Sequence, residues 1–170
     1  MKLNKHSLIE LLLQLVTVAW IASHFTLYHF FLLYATMVIF HTHMTVFMHR
    51  AWCHRGWIPN RWLNIYGLTF VNLILVGGSP GWCAVHRQHH RFSDTPQDPH
   101  YGKKPVWQLL FYQDLTPDFA YAKDLIQDPL HYWFFKNTWR IQISWLILLA
   151  IISPAFLFFW VAAAGFNRFV

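Results

Sequence analysis

Apolar residues run along this chain in long unbroken stretches, and most of the charged residues are gathered between them. From Leu11 to Met48 there is no Asp, Glu, Lys or Arg. At about 1.5 Å per residue, a single helix of that length would be nearly twice the roughly 30 Å of a bilayer's hydrocarbon core. Two helices joined by a tight turn fit better, and polarity rises at Ser23 and His24. The pattern predicts one span at about 7–23 and a second at about 26–48. A third uncharged run, Ile141 to Asn167, predicts a span over about 141–163 with a kink at Pro154. The first run continues too far for the apolar core of a signal sequence and meets no convincing small-residue cleavage site, so it reads as a retained anchor.

The stretch from Trp62 to Val85 is uncharged too, but its apolar part stops at Val76 and meets the breaker Gly77-Gly78-Ser79-Pro80. If it crossed, the polar segments on either side would face opposite compartments, and Arg87, Arg91, Lys103 and Lys104 would lie outside, against the positive-inside rule. This predicts a helix over about 62–76 that lies along the membrane surface or dips into it. Lys2 and Lys5 put the N-terminus inside, and two spans then return the chain to the cytoplasm. From Arg87 to Arg140 the chain is polar and proline-rich, which predicts a cytosolic cap of short helices and loops.

Composition agrees. Of 170 residues, 56% are hydrophobic and only 12% charged, against about 25% charged in a soluble domain. Ten Trp and 19% aromatics suit bilayer interfaces. Ten of the thirteen basic residues fall between Arg50 and Arg140, a cytoplasmic face rather than a nucleic-acid patch. The fold class expected is an all-α, multi-pass integral membrane protein, one domain over residues 1–170. It is a bundle of three transmembrane helices with one interfacial helix and a His-rich cap. Cys53 and Cys83 read as free thiols in a reducing compartment.

Twelve histidines are the departure from any ordinary membrane composition. Two groups are compact. His49-Arg-Ala-Trp-Cys-His54 closes the second span, and His86-Arg-Gln-His89-His90 follows the interfacial segment. On an α-helix His86, His89 and His90 share a face. His49 and His54 would lie about 140° apart at 3.6 residues per turn, so they serve different metals or the helix unwinds between them. Imidazole ligates Fe, Zn, Cu and Ni, and two such boxes on one side of a membrane can converge on metal. Taken alone, either box also reads as interfacial packing or a solvated face. His41 and His43 stand just before the first box, whereas His6, His24, His29 and His131 read as interfacial or packing residues. Arg55, Arg87, Lys103 and Lys104 are candidates for phosphate contact or for a solvated, lipid-facing surface.

The stretch His49–Arg55 resembles the first histidine box of the acyl-CoA/acyl-lipid Δ9 fatty-acid desaturases. Val85–Thr95 with Asp98-Pro99-His100 resembles the second box and its tail, and Lys123–Pro129 resembles the segment before the next span. The resemblance implies an O2-dependent desaturase with a non-haem di-iron centre, placing a cis double bond in a long acyl chain in unsaturated fatty-acid biosynthesis. It implies iron ligation by His49, His54, His86, His89 and His90, with no catalytic residue beyond the ligands. Asp94 and Asp98 are candidates to orient ligand histidines from behind or for simple turn and cap roles, and His100, in the same tail, is a further candidate for that outer shell. An acyl tunnel would be lined by residues such as Trp52, Trp57 and Trp82. Expected partners are an acyl-CoA, acyl-carrier or acyl-lipid substrate, membrane lipid, and a separate electron donor such as a ferredoxin or cytochrome. The family also carries a third HxxHH box and an Asn/His pair, neither of which is in these 170 residues. The expectation is therefore the N-terminal part of the domain, inactive alone. A membrane hydroxylase and a non-catalytic His-rich metal- or haem-binding membrane protein are the other readings.

Overall fold

The computed structural model describes residues 5–24, 26–103 and 116–166, and Lys2 and Lys104 of the readings above lie outside them. The described residues are helical, with no strand. α1 (Lys5–Ser23) and α2 (Leu27–His43) meet at the polar turn anticipated around Ser23 and His24. Thr26 caps α2 by accepting from His29 N–H at 3.2 Å, one of the four N–H groups a helix start leaves unpaired. His29 Nδ1 reaches back to the His24 carbonyl at 2.7 Å and closes the turn.

α2 does not stop where the second span was expected to. It continues without a break into a π-helical segment, Met44–Cys53. Together Leu27–Cys53 make 27 residues, and this is the one helix among those described that is long and apolar enough to cross a membrane. The third uncharged run behaves differently from a kinked span. Ser153 is fully extended (φ −167°, ψ 123°) between α6 (Pro129–Ile152) and α7 (Pro154–Phe166). Pro154 has no N–H to continue the ladder, and its ring drives the residue before it out of the α region. The kink becomes a break. α7 packs against α1 and α2. Trp20 stacks on Phe158 at 4.8 Å, and Phe40 meets Trp160 at 4.6 Å.

The uncharged stretch between the boxes forms a helical hairpin. α3 (Arg61–Leu73) runs antiparallel to α2 and the π segment, as its partners show: Asn64 meets Trp52 at 2.9 Å, Tyr66 meets His43 at 2.7 Å, and Phe70 lies 6.3 Å from Phe40. A turn follows in which Leu75 (φ 65°) and Gly77 (φ 102°) are left-handed. α4 (Ser79–Phe92) then climbs back, with Cys83 Sγ 3.8 Å from the Met48 carbonyl and Arg87 Nε 3.0 Å from that of Cys53. The trace therefore returns to the end it left, and both histidine boxes stand there. Phe47, Met48, Trp52, Leu68, Val71 and Cys83 form the core between hairpin and π segment. Cys53 and Cys83 are both buried and unpaired by a disulfide.

Close approach of α3 to the π segment depends on Gly67. A Cβ there would sit 2.7 Å from Cγ and 2.8 Å from Cε1 of the Phe47 ring, which is only 6% exposed and has nowhere to retreat. Gly67→Val should destabilise the protein by about 1–3 kcal/mol, the usual scale of overpacking. Thermal unfolding in detergent checks this, and an unchanged melting temperature would mean that the helices part freely here.

Candidate metal centre

The π segment resolves the spacing of the first box. In an α-helix His49 and His54 would point about 140° apart. Here the His54 N–H donates to the His49 carbonyl at 3.0 Å, an i→i−5 bond that stacks residues five apart on one face. The rings lie 4.5 Å apart and nearly perpendicular, with Nε2 to Nε2 at 3.0 Å. The wider turn ends on Arg55, which takes the left-handed conformation (φ 51°) that usually falls to glycine, and Gly56 N–H closes onto the Arg50 carbonyl at 2.8 Å. Trp57 folds back to donate its indole N–H to the Val46 carbonyl at 3.2 Å.

From α4, His86 and His90 meet this pair. His86 Nε2 is 3.2 Å from His54 Nε2 and 3.0 Å from His90 Nε2. All four ligand atoms of His49, His54, His86 and His90 lie within 4.8 Å of one another. Protons alone cannot hold such a string. Each ring nitrogen offers either one N–H or one lone pair, and both His54 and His86 face two neighbours. A shared cation would satisfy these lone pairs, since nitrogens about 2.1 Å from one ion stand roughly 3–3.5 Å apart. His86 is pushed down to about 3 from an ordinary 6.5, by burial first and then by the imidazoles of His49, His90 and His54. His54 is lowered by burial and by His90. The His86 ring is thus neutral at ordinary pH, and a set of four imidazoles fits a borderline transition metal. Trp82 stacks flat on His86 at 4.7 Å.

His89 does not join the four. Its ring stands 6.2 Å from that of His86, and its Nδ1 lies 2.8 Å from Asp98 Oδ1. Asp98 is 3% exposed and also accepts from the backbone N–H of His100 (2.7 Å) and of Asp94 (3.2 Å). Burial would raise its carboxyl, but the hydrogen bonds from His89 and those two N–H groups hold it below the usual range. His100 packs edge-on against His89 at 5.3 Å. Asp94 contributes its backbone in a left-handed turn (φ 64°), while its exposed carboxylate orients none of the described histidines. His43 is engaged elsewhere, between the Ile39 carbonyl and Tyr66 Oη, both at 2.7 Å.

Arg87 is the residue that the sequence reading misplaced. It faces inward, not toward phosphates. Nε donates to the Cys53 carbonyl (3.0 Å), Nη2 to that of Trp52 (2.6 Å) and Nη1 to that of Tyr121 (2.8 Å). Both terminal nitrogens also clasp Asp124 Oδ1 (2.6 Å) and Oδ2 (3.0 Å) in a bidentate pair. Arg55, the second proposed phosphate contact, reaches the same carboxylate at 2.7 Å. Asp124 stands in α5 (Lys123–Gln127), just after a 3-10 turn at Phe119–Ala122. Burial would raise it, yet the two arginines hold it far below the carboxylate range. His131, read as an interfacial or packing residue, is 3% exposed and hydrogen-bonded at both nitrogens. Of the three tryptophans expected to line a tunnel, Trp52 is 3% exposed and the other two pack partly buried on the same core. A groove of about 430 Å³ lies elsewhere, along α6 beside Leu73, Trp133, Arg140 and Trp145.

A family model described as fatty acid desaturase matches residues 9–170. The chain is 31% identical over 112 residues to an sn-1 stearoyl-lipid 9-desaturase of Anabaena variabilis, covering 62% of this chain and 41% of that protein. It is 32% identical over 115 residues to the protein of the same description from Synechocystis sp., covering 64% and 36%. Delta-9 acyl-lipid desaturase 2 of Arabidopsis thaliana is 28% identical over 128 residues, covering 72% and 40%. The chain thus spans less than half the length of these relatives. No solved structure matches it.

Two outcomes follow from this geometry. Arg87→Lys keeps the charge but loses the bidentate fork, so it should cost about 2 kcal/mol, less than a fully buried pair because Asp124 is 28% exposed. It should also weaken metal binding, measured by calorimetric titration, whereas an unchanged titration would show that the clamp does not set the site. The second outcome concerns pH. His86 is depressed in the folded state, so the unfolded chain binds more protons below its ordinary 6.5. Stability of the metal-free protein should be full above that value and fall as pH drops toward 3. His86→Leu should flatten this slope in melting curves recorded across the range.

Proposed function

Because the chain belongs to the fatty acid desaturase family, we propose that its histidine centre binds iron and serves O2-dependent desaturation of a long acyl chain, with Δ9 the position its relatives suggest. The observation that carries this reading is the convergence of four imidazoles from two separate boxes onto one point. Bound iron supplies the oxidising power to take two hydrogens from an unactivated pair of methylenes, using O2 and two electrons. The chain's own residues do the rest. His49, His54, His86 and His90 would hold the metal through their ring nitrogens, and His89, oriented by Asp98, would serve as a further ligand of a di-iron centre. Trp82 fixes the plane of His86 by stacking.

In the same reading residues 1–170 form one domain with spans near 7–23 and 27–53, while the run expected as a third span over 141–163 is parted at Ser153 into α6 and α7. The α3–α4 hairpin dips into the membrane without crossing, which puts both boxes on the cytoplasmic side. The substrate is an acyl lipid or acyl thioester, as the names of the relatives suggest, and electrons come from a separate donor protein.

Replacing any of His49, His54, His86 or His90 by Ala should lower bound iron, measured by mass spectrometry of the purified protein. In a desaturase-deficient host, gas chromatography should show any monounsaturated product of the intact protein lost in the same variants. Full iron retention in His54→Ala would sink the assignment. His24→Ala should leave iron content unchanged, since its ring lies at the α1–α2 turn.

A further inference from the structure

Beneath the first box, four polar groups from four elements are linked in a row. Trp52 of the π segment donates its indole N–H to Asn64 Oδ1 of α3 at 2.9 Å. Asn64 Nδ2 faces His131 Nε2 of α6 at 3.5 Å, the longest link. His131 Nδ1 meets Ser79 Oγ of α4 at 2.9 Å. The direction of the row follows from its first member. Indole can only donate, so the Asn64 oxygen accepts and its amide must donate onward. His131 Nε2 therefore holds the lone pair, and its proton sits on Nδ1, donated to Ser79. Burial lowers the His131 imidazole below its ordinary value.

The position is rigid. Asp128 caps α6 and accepts from the backbone N–H of Leu130 (2.8 Å) and of His131 (3.0 Å), so the ring projects from a fixed helix start. The edge of the Trp52 ring also meets the His131 ring at 5.1 Å, nearly perpendicular. Ser79 is 2% exposed and begins the helix that carries His86 and His90. His131 thus touches both the turn that holds the first box and the helix that holds the second, without belonging to either.

We propose that His131 is a positioning residue for the metal centre: through Asn64 and Trp52 it fixes the π turn that pairs His49 with His54, and through Ser79 it sets the start of the helix bearing His86 and His90. The proposal rests on the reading of the four-histidine cluster as a metal site. Two measurements keep the failures of the two apart. The first needs no metal. In protein labelled with 15N at tryptophan indoles, the Trp52 N–H resonance should move in His131→Phe and in Asn64→Leu. It should return toward its original position in His131→Gln, whose amide offers one donor and one acceptor. The second uses Co(II) as probe in the full chain in nanodiscs. His131→Phe should weaken Co(II) binding about tenfold, the lower end of what outer partners of metal ligands contribute, and shift its visible absorption. His131→Gln should recover most of both. His54→Ala serves as the control: Co(II) bound as before in that variant overturns the cluster reading and with it the metal role of His131. An unmoved Trp52 resonance in His131→Phe overturns the network itself. An unchanged Co(II) affinity and spectrum in His131→Phe, with only a lower melting temperature, would leave His131 a structural residue and overturn the proposal.

Discussion

Everything at the histidine end of this molecule is referred to one guanidinium. Arg87 has five N–H donors and five acceptors around it: the carbonyls of Trp52, Cys53 and Tyr121 and both oxygens of Asp124. The Trp52 and Cys53 carbonyls end a helix, where four such groups lack intrahelical partners and the helix dipole is negative. A cation from another helix satisfies both conditions at once. Because His86 precedes Arg87 and His90 lies three residues beyond it, the contact that caps the first box also sets the second box against it. Separation between the boxes is a consequence of where Arg87 finds its acceptors.

The clamp would hold two misaligned boxes if the first ran on in α-helical register. Widening the turn to i→i+5 brings His49 and His54 together, at the cost of a poorer ladder and a left-handed Arg55. Local contacts offset this. Trp57 returns to the Val46 carbonyl, Gly56 closes on Arg50, and the Arg55 guanidinium joins Asp124. Asp124 therefore ties the close of the π segment, through Arg55, to α4, through Arg87.

Much of this was legible in the sequence where one rule decided it. The charge-free run was too long for one span, so the α1–α2 turn fell where polarity rose, at Ser23 and His24. The helix expected over 62–76 is α3, and the breaker at Gly77–Pro80 marks the turn that leads into α4. The boxes came from spacing and residue type. What escaped were features fixed by contacts distant in sequence. A helical wheel at 3.6 residues per turn left His49 and His54 either apart or joined by an unwound turn, and only the i→i+5 bond decides for the second. Arg87 read as a surface cation because its partner, Asp124, is on an element that no local pattern connects to it. His131 read as interfacial or packing, and its choice between the two depends on α3 and α4 packing over α6. The break at Ser153 was signalled by Pro154, but whether a proline kinks or severs a helix depends on what waits for the freed segment, here the faces of α1 and α2.

The polar row from Trp52 to Ser79 carries the same logic into the interior. Buried amides and imidazoles add little net stability when satisfied, and each costs about 1–3 kcal/mol if its partner is lost. An apolar interface of equal volume would be at least as stable and would tolerate sliding by part of a turn. A histidine with both nitrogens committed in one tautomer does not tolerate it, because any slip leaves two buried groups unpaired. Four imidazoles whose nitrogens must meet within 4.8 Å need that intolerance. A site held to about half an ångström requires a supporting shell that is itself locked. The apolar core supplies cohesion without register, and register comes from the few polar groups placed where they have only one way to be satisfied.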